Sequence, residues 1–184
     1  MLAACPLPSV VLVPRPHLGE PLALDLLNTR WISPDGPQDL LTDVDGLRQW
    51  LAENALTAPA DEPTLRALLT AREAIANTVR DRSFDELNAV LDHGRVRRRL
   101  TADGPADLPD VGQARWLPAW LAADDLLRLW GVAPERIKQC AHPNCVLYFY
   151  DTSKNGTRRW HSMLTCGNRA KATRHYAKKT RSED

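Results

Sequence analysis

Cys140 and Cys145 stand with four residues between them, and His161 and Cys166 repeat that gap fifteen residues further on. Thiolate sulfur and imidazole nitrogen are the donors of tetrahedral zinc sites. Three sulfurs and one ring nitrogen close the coordination sphere and leave no open position for chemistry. The pattern therefore points to one structural Zn2+ per chain. His142 is the rival fourth ligand, but it lies inside the first turn, whereas His161 restores the symmetry of the two pairs. Three clustered thiols cannot all pair with one another. A secreted disulfide scaffold would carry more cysteines, in even number, behind a signal peptide. A metal in a reducing cytosol is the better reading. Cys5 is remote from the cluster and reads as an ordinary thiol.

The elements that must position these ligands are short. Val146–Tyr150 alternates and is β-prone, Lys154-Asn155-Gly156 supplies a turn, and Thr157–Trp160 returns. The expected module is a ligand turn, a β-hairpin, a second ligand turn and a helix, over residues 135–184. Trp160, Leu147 and Phe149 would form its small core. So little apolar material does not hold a fold by burial alone, and metal binding supplies folding free energy.

Charge marks the same segment. The whole chain of 184 residues has a net charge of +1, but residues 1–137 hold 14 Arg, no Lys and 20 Asp and Glu, a net −6. Residues 138–184 hold all five Lys and a net +7. Such asymmetry suggests an anionic partner for the basic part. Asn168–Arg181 is a good helix former, with Ala and Lys throughout. Arg169, Lys171, Arg174, Lys178 and Lys179 would cover its surface, Tyr176 would pack inward, and Arg158 and Arg159 would extend the basic region. Phosphates bind such surfaces through counterion release. Asn168 and Arg169, near the helix start, are the candidates for base contacts, since Asn reads adenine and Arg reads guanine. Asn168 could instead cap the helix, and Arg169 could brace the hairpin.

Ahead of the boundary at Val132–Lys138, residues 1–134 read as one mainly α domain with a few short strands. Hydrophobic residues make up 43% of the chain, enough to bury a core. Leu22–Arg30 is a short helix or strand. Asp39–Asn54 is a helix that Gly46 weakens. Asp61–Asp81 is the clearest helix, with Asp61 as cap, Pro63 in its first turn and an apolar stripe of Leu65, Leu68, Leu69, Ile75 and Val79. Ser83-Phe84-Asp85-Glu86 has the form of a capping box opening a helix to His93. Val96–Thr101 and Gly112–Leu117 suggest a loose hairpin. Pro118 starts a last helix whose Trp120, Leu121, Leu126, Leu127 and Trp130 face inward, and Gly131 ends it. Asp25, Asn28 and Thr29 are polar residues in an apolar stretch. Asp25 and Asn28 could line a ligand pocket of a sensor domain, or satisfy neighbouring backbone. The acidic bias of the domain favours internal pairing of the Arg95–Arg99 cluster.

No run reaches the roughly 20 apolar residues of a membrane helix, and the first residues do not read as a secretory signal. There is no phosphate-cradling glycine loop, no nucleophile elbow and no His-Glu-x-x-His. The reading is a cytoplasmic, non-enzymatic protein.

Cys166-Gly167-Asn168-Arg169, with Arg158-Arg159-Trp160 before it and Ala170-Lys171 after it, resembles the CGNR zinc finger. Leu22–Thr29 (LALDLLNT) and the Asp39–Leu51 helix are similar to the ABATE domain that usually precedes this finger. The resemblance implies a bacterial transcription regulator, stress-linked, with DNA bound by the finger. The family usually has Cys after Arg-Arg-Trp, where this chain has His161. The expected partners are DNA for the finger, and a second copy or a small-molecule effector for the N-terminal domain. The alternatives are a zinc-stapled protein-interaction or oligomerisation module, its basic face on an acidic partner or on the N-terminal domain, and an RNA-binding module.

Overall fold

The computed structural model describes residues 14–171. Cys5 and, in the basic tail, Arg174, Tyr176, Lys178, Lys179 and Arg181 lie outside these residues. Helix α1 (Leu22–Leu27) has only six residues, too few to be stable alone, yet it occupies the centre of the molecule. Ala23, Leu24 and Leu26 are fully buried, enclosed by α3 (Glu62–Asp81) and α5 (Leu117–Val132). The Ala23 N–H, an orphan of the first turn, donates to Asp125 Oδ2 on α5 at 3.0 Å.

The polar residues of this stretch each engage a different part of the chain. Asp25 accepts from Trp50 Nε1 at 2.9 Å and Asn54 Nδ2 at 3.1 Å, and its two oxygens take Arg15 Nη2 at 2.9 and 2.8 Å. Thr29 Oγ1 accepts from Arg72 Nη1 of α3 at 2.9 Å. Asn28 reaches the C-terminal module, as described below. Asp25 and Asn28 thus satisfy groups within the protein, and neither lines a described cavity.

A first hairpin, β1 (Arg30–Ser33) with β2 (Gly36–Asp39), follows. Helix α2 (Val44–Glu53) begins five residues later than the spacing suggests, because Asp43 caps it by accepting from Gly46 N at 2.9 Å. Asp39 instead ends β2 and holds Arg72 through both oxygens at 2.7 and 2.8 Å. Helix α3 starts and ends as expected, capped by Asp61. Helix α4 (Asp85–Leu91) has no side-chain cap. The expected capping box does not form, and Glu86 accepts instead from Asn77 Nδ2 at 2.7 Å. The second hairpin is longer and earlier than expected. Strand β3 (Gly94–Thr101) pairs with β4 (Gly104–Val111) through a tight turn, with Arg95–Asp110 and Arg98–Asp107 ion pairs along it. Helix α5 runs through Gly131, and Leu127 faces outward rather than in.

The C-terminal module departs from the expected strand pairing. Strand β5 (Ile137–Gln139) pairs antiparallel with β6 (Tyr148–Tyr150), so the first ligand turn is the tip of this hairpin. Among the described residues Thr157–Trp160 is not a strand. Cys140 N and Asp151 N donate back across the hairpin to Leu147 O and Arg136 O, both at 2.8 Å. The other edge of β6 faces α1. There Asn28 Nδ2 donates to Tyr148 O at 2.9 Å, and Tyr148 N donates to Asn28 Oδ1 at 2.8 Å. Tyr150 N donates to Glu20 Oε2 at 2.8 Å. Ile137, Leu147 and Tyr148 belong to the same buried cluster as α1, α3 and α5.

Two predictions follow the packing. A β-carbon on Gly46 would lie 1.7 Å from Leu40 O, so Gly46→Ala lowers stability by about 3 kcal/mol, at the upper end of overpacking costs, despite its better helix propensity. Asn28→Ala leaves the Tyr148 N–H and carbonyl unpartnered and costs about 2–4 kcal/mol. Asn28→Asp is no better, because its carboxylate faces Tyr148 O. Urea unfolding checks all three variants.

Candidate metal centre

Local hydrogen bonding holds the two ligand turns against each other. Cys145 N donates to His142 O at 3.0 Å and closes the first turn. Ala141 N donates to Arg159 O at 2.8 Å, which ties the approach to the second ligand pair onto the first. Ser162 caps the second turn, a π-helical turn over Met163–Gly167, by accepting from Thr165 N at 3.3 Å. Arg158 braces the approach: its Nε donates to Trp160 O at 2.9 Å, another nitrogen donates to His161 O, and its guanidinium sits 4.5 Å over the Phe149 ring.

The result is a compact donor set. Cys140, Cys145 and Cys166 Sγ and one His161 ring nitrogen all lie within 4.8 Å of one another. Zinc bonds of about 2.3 Å to sulfur and about 2.0 Å to nitrogen place neighbouring donors of a tetrahedron roughly 3.5–3.8 Å apart. Cys145 Sγ and His161 Nδ1 stand 3.5 Å apart. His161 Nε2 faces Thr165 Oγ1 at 3.5 Å, which assigns Nδ1 to the metal side. His142 lies outside the cluster, and its Nδ1 accepts from Asn144 N at 3.2 Å.

The electrostatics disfavour thiolates here unless a cation accompanies them. Burial pushes the Cys145 thiol up to about 12, and the neighbouring Cys140 and Cys166 sulfurs push it the same way. Burial raises Cys166 too, with Cys140 adding to it. Three adjacent thiolates are stable only around positive charge, and a metal ion supplies it while displacing their protons. Burial pulls His161 down to about 4, with His17 and Arg158 acting in the same direction, so its imidazole is neutral and able to ligate. The donor set fits one structural zinc ion held by Cys140, Cys145, His161 and Cys166.

Sequence reasoning missed the shell around this set. The His17 ring stands 4.9 Å from that of His161, and His17 Nε2 meets Glu20 Oε1 at 2.8 Å. The 151–158 loop is organised around Asp151, fully buried, which takes Lys138 Nζ at 2.7 Å, Ser153 N at 3.0 Å and Arg158 N at 2.9 Å. Burial by itself would raise the Asp151 carboxyl; Lys138 and the Ser153 and Arg158 donors outweigh it and hold the group well below the usual carboxylate range. The Asp-x-Ser spacing, an Asx turn, was the available signal.

Of the residues expected to touch nucleic acid, Arg158 is partly buried and its donors serve the approach to His161. Arg159, Asn168, Arg169 and Lys171 are exposed at or beside the second ligand turn. Asn168 Nδ2 also donates to Leu164 O at 3.2 Å, back onto the second ligand turn. Arg174 and Lys178 lie outside the described residues.

Cys145→Ser removes bound zinc and lowers the unfolding midpoint of the whole chain in one transition, because Leu147 and Tyr148 sit in the common core. His142→Ala keeps its metal. Elemental analysis and thermal unfolding of both variants check this; one zinc per chain retained by Cys145→Ser contradicts the ligand set.

Residues 136–179 match the CGNR zinc finger family. Residues 20–133 match the ABATE family, whose description is "Putative stress-induced transcription regulator". No curated protein matches the chain. Both families are regulatory or metal-binding rather than enzymatic, and no helix among the described residues is long and apolar enough to cross a membrane. The chain belongs to the ABATE family and carries a CGNR zinc finger as its C-terminal part.

Proposed function

We propose that the protein is a cytoplasmic transcription regulator of stress responses whose zinc-stapled C-terminal part, residues 135–184, binds DNA, while residues 1–134 sense an effector or dimerise. The observation that carries this is the placement of the metal centre at the root of the basic segment. Cys166 and Gly167 are buried, and Asn168, Arg169 and Lys171 emerge immediately beyond them, beside the exposed Arg159. A fixed ion thereby orients cations that elsewhere in the chain are outnumbered by carboxylates. Arg159 and Lys171 serve the phosphate backbone, and Asn168 and Arg169 reach base edges. Arg174 and Lys178 continue the basic run in the sequence.

The protein-interaction reading has one observation in its favour. Met163 and Leu164 are 48% and 85% exposed on the second ligand turn, and exposed apolar side chains are typical of protein contacts.

A salt titration separates the two. Zinc-loaded full-length protein binds a labelled random duplex, and log affinity falls with log salt by about 0.9 per contacted phosphate. Arg159→Gln with Lys171→Gln reduces that slope by about 2. No binding at low salt by protein with one zinc per chain overturns the DNA reading. A Leu164→Ser variant that loses self-association or protein capture while duplex binding stays absent supports the other.

A further inference from the structure

A cavity of about 570 Å³ opens where the first hairpin, α3 and the zinc module meet, within the size range of small-molecule sites. One wall comes from β1 and β2, one from α3, and the third from the zinc module through Gln139, Val146 and Tyr148. Its surface is mostly apolar and aromatic, with Trp31 and Tyr148 contributing the largest rings.

The charges on this lining do not balance. Arg30, Arg72 and Arg80 face it, against the single carboxylate of Asp39. Asp39 is already engaged by both terminal nitrogens of Arg72 and by Arg30 Nε at 3.1 Å. Arg30 has a second acid, Glu73, at 2.7 Å. Arg80 donates to the neutral Asn77 amide oxygen at 3.0 Å and forms no ion pair among the described residues. Arg72 is 2% exposed and its Nε–H has no hydrogen-bond partner. The Tyr148 hydroxyl makes no hydrogen bond among the described residues; Arg80 and, with opposite sign, Asp81 lie within its electrostatic reach, and of these two only Arg80 lines the cavity with it. A surplus guanidinium, a free phenol donor and apolar walls are the complement of an anion with an apolar body.

We propose that this cavity binds a small organic acid, its carboxylate between Arg80 and the Tyr148 hydroxyl and its aromatic or aliphatic body against Trp31 and Val146. Because one wall belongs to the zinc module, the bound acid bridges the two parts of the chain. Trp31 and Ile32 also line the cleft that holds Cys145, His161 and Cys166, so β1 is the partition between the acid and the metal centre. The regulatory consequence, a ligand-dependent change in DNA affinity, rests on the function proposed above; binding of the acid does not.

The test uses zinc-loaded full-length protein and calorimetric titration with 1-naphthylacetate and decanoate, against the neutral 1-naphthylacetamide and decanol. The acids bind saturably with Kd below about 1 mM, at least tenfold tighter than their neutral counterparts, a difference of about 1.4 kcal/mol. Arg80→Gln, at an exposed position, removes the preference for the acid. Thr42→Trp, on the exposed rim, blocks acid and amide alike. The proposal is overturned by absence of saturable binding, by equal binding of acid and amide unchanged in Arg80→Gln, or by acid binding insensitive to Thr42→Trp. In a second arm, saturating 1-naphthylacetate changes duplex affinity by the factor by which duplex changes 1-naphthylacetate affinity. Acid binding in a protein that ignores DNA refutes the DNA reading and leaves the cavity assignment standing.

Discussion

The architecture depends on one side-chain amide acting as a strand. Among the described residues strand β6 has a single partner strand, β5, so its second edge presents main-chain groups that must be satisfied once they are buried. Asn28 supplies both a donor and an acceptor to Tyr148, and Glu20 takes the N–H of Tyr150. An amide is the side chain with the right pair of groups at one tip. With that edge closed, Leu147 and Tyr148 bury in the same core as α1, α3 and α5. The zinc module is therefore not a finger on a tether. It borrows its hydrophobic support from the N-terminal part, and the division into two family segments does not divide the core.

That borrowing sets what the metal has to do. The module's own buried aromatic, Phe149, lies under Arg158, and β5 and β6 have three residues each. The segment from Asp151 to His161 has no strand ladder to hold it, so Lys138, Arg136 and Asp151 gather its carbonyls and N–H groups while the metal fixes its far end. Arg136 Nη1 alone takes Asp151 O at 2.6 Å and Ser153 O at 2.9 Å. Cys145 and Cys166, whose thiols burial and the neighbouring sulfurs disfavour as thiolates, make with Cys140 and His161 a poor core without an ion and a closed site with one. Folding of this end and metal uptake are consequently one equilibrium, coupled through Leu147 and Tyr148 to the helices.

How far the sequence could be read follows from the range of each interaction. The ligand set was legible because cysteine and histidine carry a chemistry few other roles demand, at a repeated interval. The Asp61 cap and the α3 stripe were legible because they are local. The pairing of β5 was not. Ile137-Lys138-Gln139 is too short to alternate, whereas Thr157–Trp160 carries strand-prone residues after a turn signal. Asp25, Asn28 and Thr29 showed themselves as polar residues in an apolar run, but their partners stand up to 120 positions away, beyond any local pattern. Gly46 reads as a weakness in a helix and is in fact the only residue type that clears the Leu40 carbonyl. Arg158 looked like its neighbour Arg159, and only the fold shows that one braces His161 while the other faces solvent.

The same contacts bear on where the charge asymmetry leads. If the basic end were compensated by the acidic part of its own chain, ion pairs would join them. The N-terminal carboxylates instead hold arginines of their own segment: Asp25 and Glu53 take Arg15, Asp39 takes Arg72, Glu73 takes Arg30, and Asp110 takes Arg95. The two parts meet through apolar side chains, an amide and a carboxylate on a main-chain N–H. Among the described residues Arg159 and Lys171 form no ion pair with that acidic surface, and Arg159 lies 5.4 Å over the ring of its neighbour Trp160. Among the described residues, the docking of the two parts thus sets no carboxylate of the N-terminal part in an ion pair with Arg159 or Lys171. Exposed cations beside a metal-fixed turn are the feature on which the proposed DNA contact relies, since a polyanion releases counterions when such side chains approach its phosphates.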